Sequence, residues 1–183
     1  MMNASHLTAL SALAIGLFGA CATPDAQAVT RFATVNASGA CQSSLPVFDV
    51  QIRKRPLAVQ NEGTAPAYVT CSFYAPGAAG GLKSVLVYAS VNDQVADTLT
   101  CTGVSGVAAA HDTTYSLKSL NLVAGGAQAN PQFMEWLPSD VNPPDPFDPN
   151  TFTYYNFNIN CNLNPGVGIN NIDVYYDDGE VEP

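Results

Sequence analysis

Apolar and polar residues alternate with a period of two along most of this chain. The clearest run is TFTYYNFNINCNL at 151–163, where Tyr155, Phe157, Ile159, Cys161 and Leu163 alternate with Asn156, Asn158, Asn160 and Asn162. Successive side chains of a strand point to opposite faces, so this run predicts a strand with one face in a core and the other in water. The same pattern marks VTRFATV (29–35), AYVTCSFY (67–74), DTLTCTGV (97–104) and TTYSLKSLNLV (113–123). It also marks VFDVQIR (47–53), with Phe48, Val50 and Ile52 on one side and Asp49, Gln51 and Arg53 on the other. LKSVLVYASV (82–91), QFMEWL (132–137) and IDVYY (172–176) complete the set, with turn signals at Asn61-Glu62-Gly63, Asn92-Asp93 and Gly125-Gly126. No segment sustains a period of 3.6. Eight or nine short strands with a turn signal about every ten residues predict an all-β, antiparallel β-sandwich, immunoglobulin-like or jelly-roll-like in architecture and almost free of helix. Such architectures host many functions, so this likeness carries no activity with it.

The N-terminus changes the picture of where the domain starts. An apolar run from Leu7 to Ala22 is followed by Asp25-Ala26-Gln27-Ala28, and small residues at 26 and 28 suit a signal peptidase. We therefore expect a signal peptide over 1–28 and a single sandwich domain over 29–183, placing the protein in a secreted or periplasmic compartment. The sixteen residues from Leu7 to Ala22 fall short of the roughly 20 that span a bilayer. The segment before the run, MMNASH, lacks Lys and Arg, which departs from the usual export signal. Cys21 follows Gly19 and Ala20 as a lipid-bearing cysteine would, but the small-x-small site downstream is the better match. Removing 28 of 183 residues leaves 155, enough for one domain with a core.

Four cysteines lie after residue 28: Cys41, Cys71, Cys101 and Cys161. An even number in an exported chain implies two disulfides, for which three pairings exist. We expect Cys41 with Cys71 and Cys101 with Cys161. Without a C-x-x-C and with a single His after residue 28, the chain lacks the ligand set of a zinc site.

Charge narrows the partners. The net charge is -9, and six basic against fourteen acidic residues after Asp25 is lost gives -8. Nucleic acid and anionic membranes call for clustered Lys and Arg, so neither is expected as a partner. The acidic residues gather late, in the Pro/Asp-rich loop PSDVNPPDPFDPN (138–150) and in an acidic tail at 177–183. Asp140, Asn142, Asp145, Asp148 and Asn150 of that loop offer hard oxygen ligands of the kind calcium takes, without the Gly and terminal Glu of the helix-loop-helix calcium motif. Otherwise no cofactor is expected. Arg53, Lys54 and Arg55 end a strand before Pro56; we read them as charge on a wet strand end, with docking onto the acidic tail as the alternative.

Candidate chemistry is sparse. His111 is followed by Asp112, but neighbours on a strand point apart, so the two are not a preformed dyad. Ser105 in GVSGV lacks the spacing of a nucleophile elbow. No catalytic residue is expected. The aromatics Trp136, Tyr154, Tyr155, Tyr175 and Tyr176, with Phe152, are more than one inner face obviously holds, and any exposed beside Asn side chains would suit sugar rings. Asn36-Ala37-Ser38 is a glycosylation sequon. The functional expectation is a non-enzymatic, exported sandwich acting by binding or structural association at the cell surface, with a protein or glycan partner. A calcium-assisted carbohydrate-binding module is the alternative, and a secreted hydrolase comes third.

Overall fold

The computed structural model describes residues 28–74, 81–92, 96–107, 112–124, 132–141, 150–152 and 156–181. These residues form eleven strands: β1 Ala28–Asn36, β2 Cys41–Ser43, β3 Ile52–Arg55, β4 Ala58–Asn61, β5 Ala67–Tyr74, β6 Leu82–Val91, β7 Asp97–Val107, β8 Asp112–Leu122, β9 Gln132–Trp136, β10 Asn156–Leu163 and β11 Val167–Val181. One four-residue helix, α1 Ala37–Ala40, joins β1 to β2. Helix is therefore nearly absent among the described residues, and none of it is long and apolar enough to cross a membrane.

The strands make two antiparallel sheets. One runs β3-β4-β11-β6-β9, with β1 also paired to β11; the other runs β2-β5-β10-β7-β8. From β4 onward the neighbours are β4 with β11, β5 with β10, β6 with β9 and β7 with β8. This nesting of early strands against late ones is the jelly-roll arrangement of eight strands. Strands β1 to β3 precede that roll and extend its two sheets.

Inward residues of both sheets fill the space between them. In β10 the alternation reads true: Phe157, Ile159, Cys161 and Leu163 are buried while the four Asn turn outward. Both disulfides form as expected, Cys41–Cys71 and Cys101–Cys161. Each joins directly opposed residues of neighbouring strands, β2 with β5 and β7 with β10, so both staple the five-stranded sheet internally. Their sulfurs lie in the core, where all four cysteines are at most 1% exposed.

Several expectations need correction. The run 47–53 is not one strand: residues 46–48 form a 3-10 turn, and only Ile52–Arg55 pairs in a sheet. Pro46 fixes the backbone for that turn, and Phe48, Asp49 and Gln51 donate their N–H groups to the carbonyls of Leu45, Pro46 and Phe48. Phe48 packs on the core, but Val47 and Val50 face water. The acidic tail is not a tail as far as residue 181, because β11 runs through Asp177 to Val181 and pairs with β1. Asp177 is buried, accepting the Thr30 hydroxyl at 2.8 Å and pairing with Lys83 at 2.9 Å. The strand predicted over 151–163 begins at Asn156; Thr151 and Phe152 are buried outside any strand, and Tyr154 and Tyr155 lie outside the described residues. The segment before Ala28 also lies outside them.

Candidate functional site

Among the described residues, the outward side chains of the five-stranded sheet form a surface without a charged residue. From β10 come Asn156, Asn158, Asn160 and Asn162; from β7, Thr98, Thr100 and Thr102; from β5, Tyr68, Thr70 and Ser72. From β8 come Tyr115, Leu117, Ser119 and Asn121, the partners of Val104, Thr102, Thr100 and Thr98. The inward phase is fixed by the buried partners of these residues, Cys101, Ile159 and Val69 among them. Amides and hydroxyls therefore repeat about every 7 Å along each strand and about every 5 Å between strands.

This grid is bonded to itself. The Asn160 amide donates to Ser44 Oγ and Thr70 Oγ1, both at 3.0 Å. Thr98 Oγ1 donates to Asn121 Oδ1 at 3.1 Å, and the hydroxyls of Thr100 and Ser119 lie 3.2 Å apart. Each bond fixes a rotamer before any ligand arrives. At the β8 side Tyr115 and Leu117 are 69% and 70% exposed, and on β5 Tyr68 is 43% exposed. Tyr68 packs against Phe48 with ring centroids 5.8 Å apart, so the surface combines fixed donors and acceptors with exposed apolar side chains, of which Tyr115 and Leu117 are the most exposed.

The outer face of the other sheet differs. Phe32 stacks on Tyr175 with ring centroids 5.8 Å apart, and Tyr88 packs on Phe133 at 5.5 Å. Asp173 lies among them, accepting Thr34 Oγ1 at 2.7 Å and Asn171 Nδ2 at 3.2 Å. Burial first, and then the charge of nearby Asp173, hold the Tyr88 phenol above its ordinary pKa.

The expected ligand-contacting aromatics are divided by this arrangement. Trp136 is fully buried, its Nε1 donating to the Ser116 carbonyl at 3.1 Å, so it closes the sandwich between β9 and β8 instead of meeting a ligand. Tyr176 is buried as well, on the inward phase of β11. Phe152 meets Phe157 edge-on in the core. Of the described candidates only Tyr175 reaches an outer face. Tyr68 and Tyr115 are the exposed rings of the uncharged face; Tyr68 shares its phase with Thr70 and Ser72, which marks it as outward, whereas Tyr115 shares its phase with Leu117 and Val123 and gives no such signal.

Among the calcium candidates, the Asp140 carboxylate accepts the Leu137 N–H at 2.7 Å and pairs with Lys118 at 2.7 Å, capping the 3-10 turn at Pro138–Asp140. Asn142, Asp145 and Asp148 lie outside the described residues, as does His111. Among the described residues no three His, Cys, Asp or Glu cluster as metal ligands. Ser105 is 1% exposed in the core, its hydroxyl unpartnered among the described residues. A shallow cleft of about 520 Å3 lies between the turn after β2 and β3, lined by Gln42, Ser43, Pro46, Asp49, Ile52 and Lys54. Its one carboxylate, Asp49, is taken by the Ser43 hydroxyl. Arg53, Lys54 and Arg55 are exposed on β3, the edge of their sheet; Arg55 pairs with Glu62, and Arg53 donates to the carbonyls of Asp49 and Ile52. Asn36 of the sequon caps α1, and its amide nitrogen donates to the Pro56 carbonyl at 3.2 Å.

With this fold and these surfaces, the chain is a disulfide-stapled jelly-roll sandwich. It matches no protein-family model, no curated protein and no solved structure.

Proposed function

We propose that the chain is an exported, non-enzymatic binding protein of the cell surface or its surroundings, and that its ligand is a neutral polysaccharide laid across the outer face of the five-stranded sheet. One observation carries this reading: in a chain of net charge -9, that face is uncharged among the described residues and bears a grid of Asn amides and Thr hydroxyls flanked by exposed Tyr68 and Tyr115. Sugar hydroxyls exchange hydrogen bonds with amides and hydroxyls, and their C–H faces stack on aromatic rings. Anionic polymers are disfavoured by the surrounding negative field. Both disulfides hold the strands of this same sheet in register, which keeps the grid fixed.

The test is co-sedimentation of the purified protein with insoluble neutral polysaccharides, alongside a glycan array. Wild type should bind at least one neutral polysaccharide, and the Tyr115→Ser/Leu117→Ser double variant should bind at least tenfold more weakly. Both side chains are mostly exposed, so the variant should keep the fold. Binding confined to anionic glycans, or unchanged in the double variant, would refute the proposal.

A further inference from the structure

Of the five strands at the sheet margins among the described residues, four are short, multiply charged or covered, and the fifth is none of these. β2 has three residues and is tied by a disulfide. β3 has four, of which Arg53, Lys54 and Arg55 are exposed. β8 and β9 cover one another through the Trp136 bond to Ser116, and Gln132 bonds both backbone groups of Val123 just past β8. Short length, charge and coverage are the usual means of blunting an edge. β1, by contrast, has nine residues, AVTRFATVN, with no Pro and a single charge, Arg31, and among the described strands it pairs with β11 alone. Every second residue of such a strand turns its N–H and C=O away from its single partner.

We infer that this edge pairs with the β1 of a second copy of the chain, antiparallel, about a two-fold axis at Phe32. The sequence of β1 is self-complementary in that register. Phe32, 63% exposed, meets its own copy; Thr30 meets Thr34, Val29 meets Val35, and Arg31 meets Ala33, so no like charges are directly opposed. An axis of this kind closes the assembly at two copies.

Charge at the ends selects a second copy over an unrelated strand. β4 and β1 share one side of β11, β4 at Val59–Ile169 and β1 from Asn36–Asn171 onward. β3 lies beside β4 and stops at Arg55, opposite Ala58, and among the described residues no strand follows it in the lane along β1. The incoming β1 takes that lane. By symmetry, the Arg53-Lys54-Arg55 strand of the second copy then comes into line with β1 and beside the end of β11, where the sequence beyond the buried Asp177 is Asp178-Gly179-Glu180. Basic and acidic strand ends meet twice in the pair. This edge belongs to the other sheet from the proposed polysaccharide face, so either reading can fail without the other.

The experiment is sedimentation equilibrium with light scattering on the exported protein. Mass should rise toward twice the monomer value with concentration, and less so near 1 M salt, where the screening length falls to about 3 Å. Phe32→Lys sets two cations against each other at the axis and should give monomer throughout, with the fold retained because the ring is largely exposed. Phe32→Cys should form a disulfide between residue 32 of the two copies, identified by mapping non-reduced peptides, since opposed strand residues lie within disulfide reach. A wild type that stays monomeric up to its solubility limit overturns the inference. So does a dimer that survives Phe32→Lys, or a Phe32→Cys protein that forms no such link.

Discussion

Gly103 sits on the inward phase of β7, where a Cβ would lie 2.6 Å from Phe157 Cζ and 2.7 Å from Trp136 Nε1. The missing side chain is what lets the indole lie flat enough to bond the Ser116 carbonyl. Gly103→Ala should therefore destabilise the fold by about 1 to 3 kcal/mol, as overpacking does, measured by urea denaturation; an unchanged midpoint would show that the rings have room to move. Tyr88 carries a pH signature. Its phenol is held above the ordinary value by burial and by Asp173, so the folded state keeps the proton to higher pH than the unfolded state does. The stability it contributes is intact below the unfolded value near 10 and is lost as pH rises through the folded value. Denaturation between pH 9 and 11 should show wild type losing more stability than Tyr88→Phe. An equal loss in both would mean that the Asp173 contact does not favour the neutral phenol.

The two staples act at the scale of the elements. Each disulfide is expected to contribute about 2 to 4 kcal/mol, but at different places. Cys101–Cys161 spans 60 residues and Cys41–Cys71 spans 30, and doubling a closed loop adds about 0.6 kcal/mol. The Cys101→Ala/Cys161→Ala variant should thus lose more global stability than Cys41→Ala/Cys71→Ala. The latter should mainly release β2, seen as faster hydrogen exchange at Gln42 and Ser44 with β7 and β10 still protected. The opposite ranking would place β2 in the cooperative core. The sequence was legible where alternation was long and one-sided: β10 declares its faces through four Asn against four apolar residues, and it folds as read from Asn156 onward. At 47–53 the same alternation misled, because Pro46 and three successive turn hydrogen bonds outweigh a seven-residue pattern. In β9 it could not decide, since Phe133 and Trp136 put an aromatic on each phase and only the packing against β8 sends the indole inward. The length of β11 was hidden for a related reason: Asp177 reads as solvent-facing until Lys83 and Thr30 are found beside it.

For the whole molecule, the arrangement separates charge from neutrality. Among the described residues, Lys83, Asp173 and Asp177 lie on the six-stranded sheet, Arg53 to Arg55 on its edge strand β3 and Lys118 on the inward phase of β8, while the outer face of the five-stranded sheet carries only amides, hydroxyls and exposed apolar groups. No single residue announces that surface. It arises because Thr98-x-Thr100-x-Thr102 on β7 and Asn156-x-Asn158-x-Asn160-x-Asn162 on β10 are neighbours in register, a juxtaposition that pairing supplies and linear order does not. The most direct measurement is an amide chemical-shift titration of the labelled protein with neutral hexopyranose oligosaccharides of increasing length. We predict perturbations confined to Thr98–Thr102, Tyr115–Ser119 and Asn156–Asn162, growing with chain length as more of the grid is covered. Perturbations centred on Phe32, Tyr88 and Tyr175 of the opposite sheet, or none at saturating sugar, would contradict it.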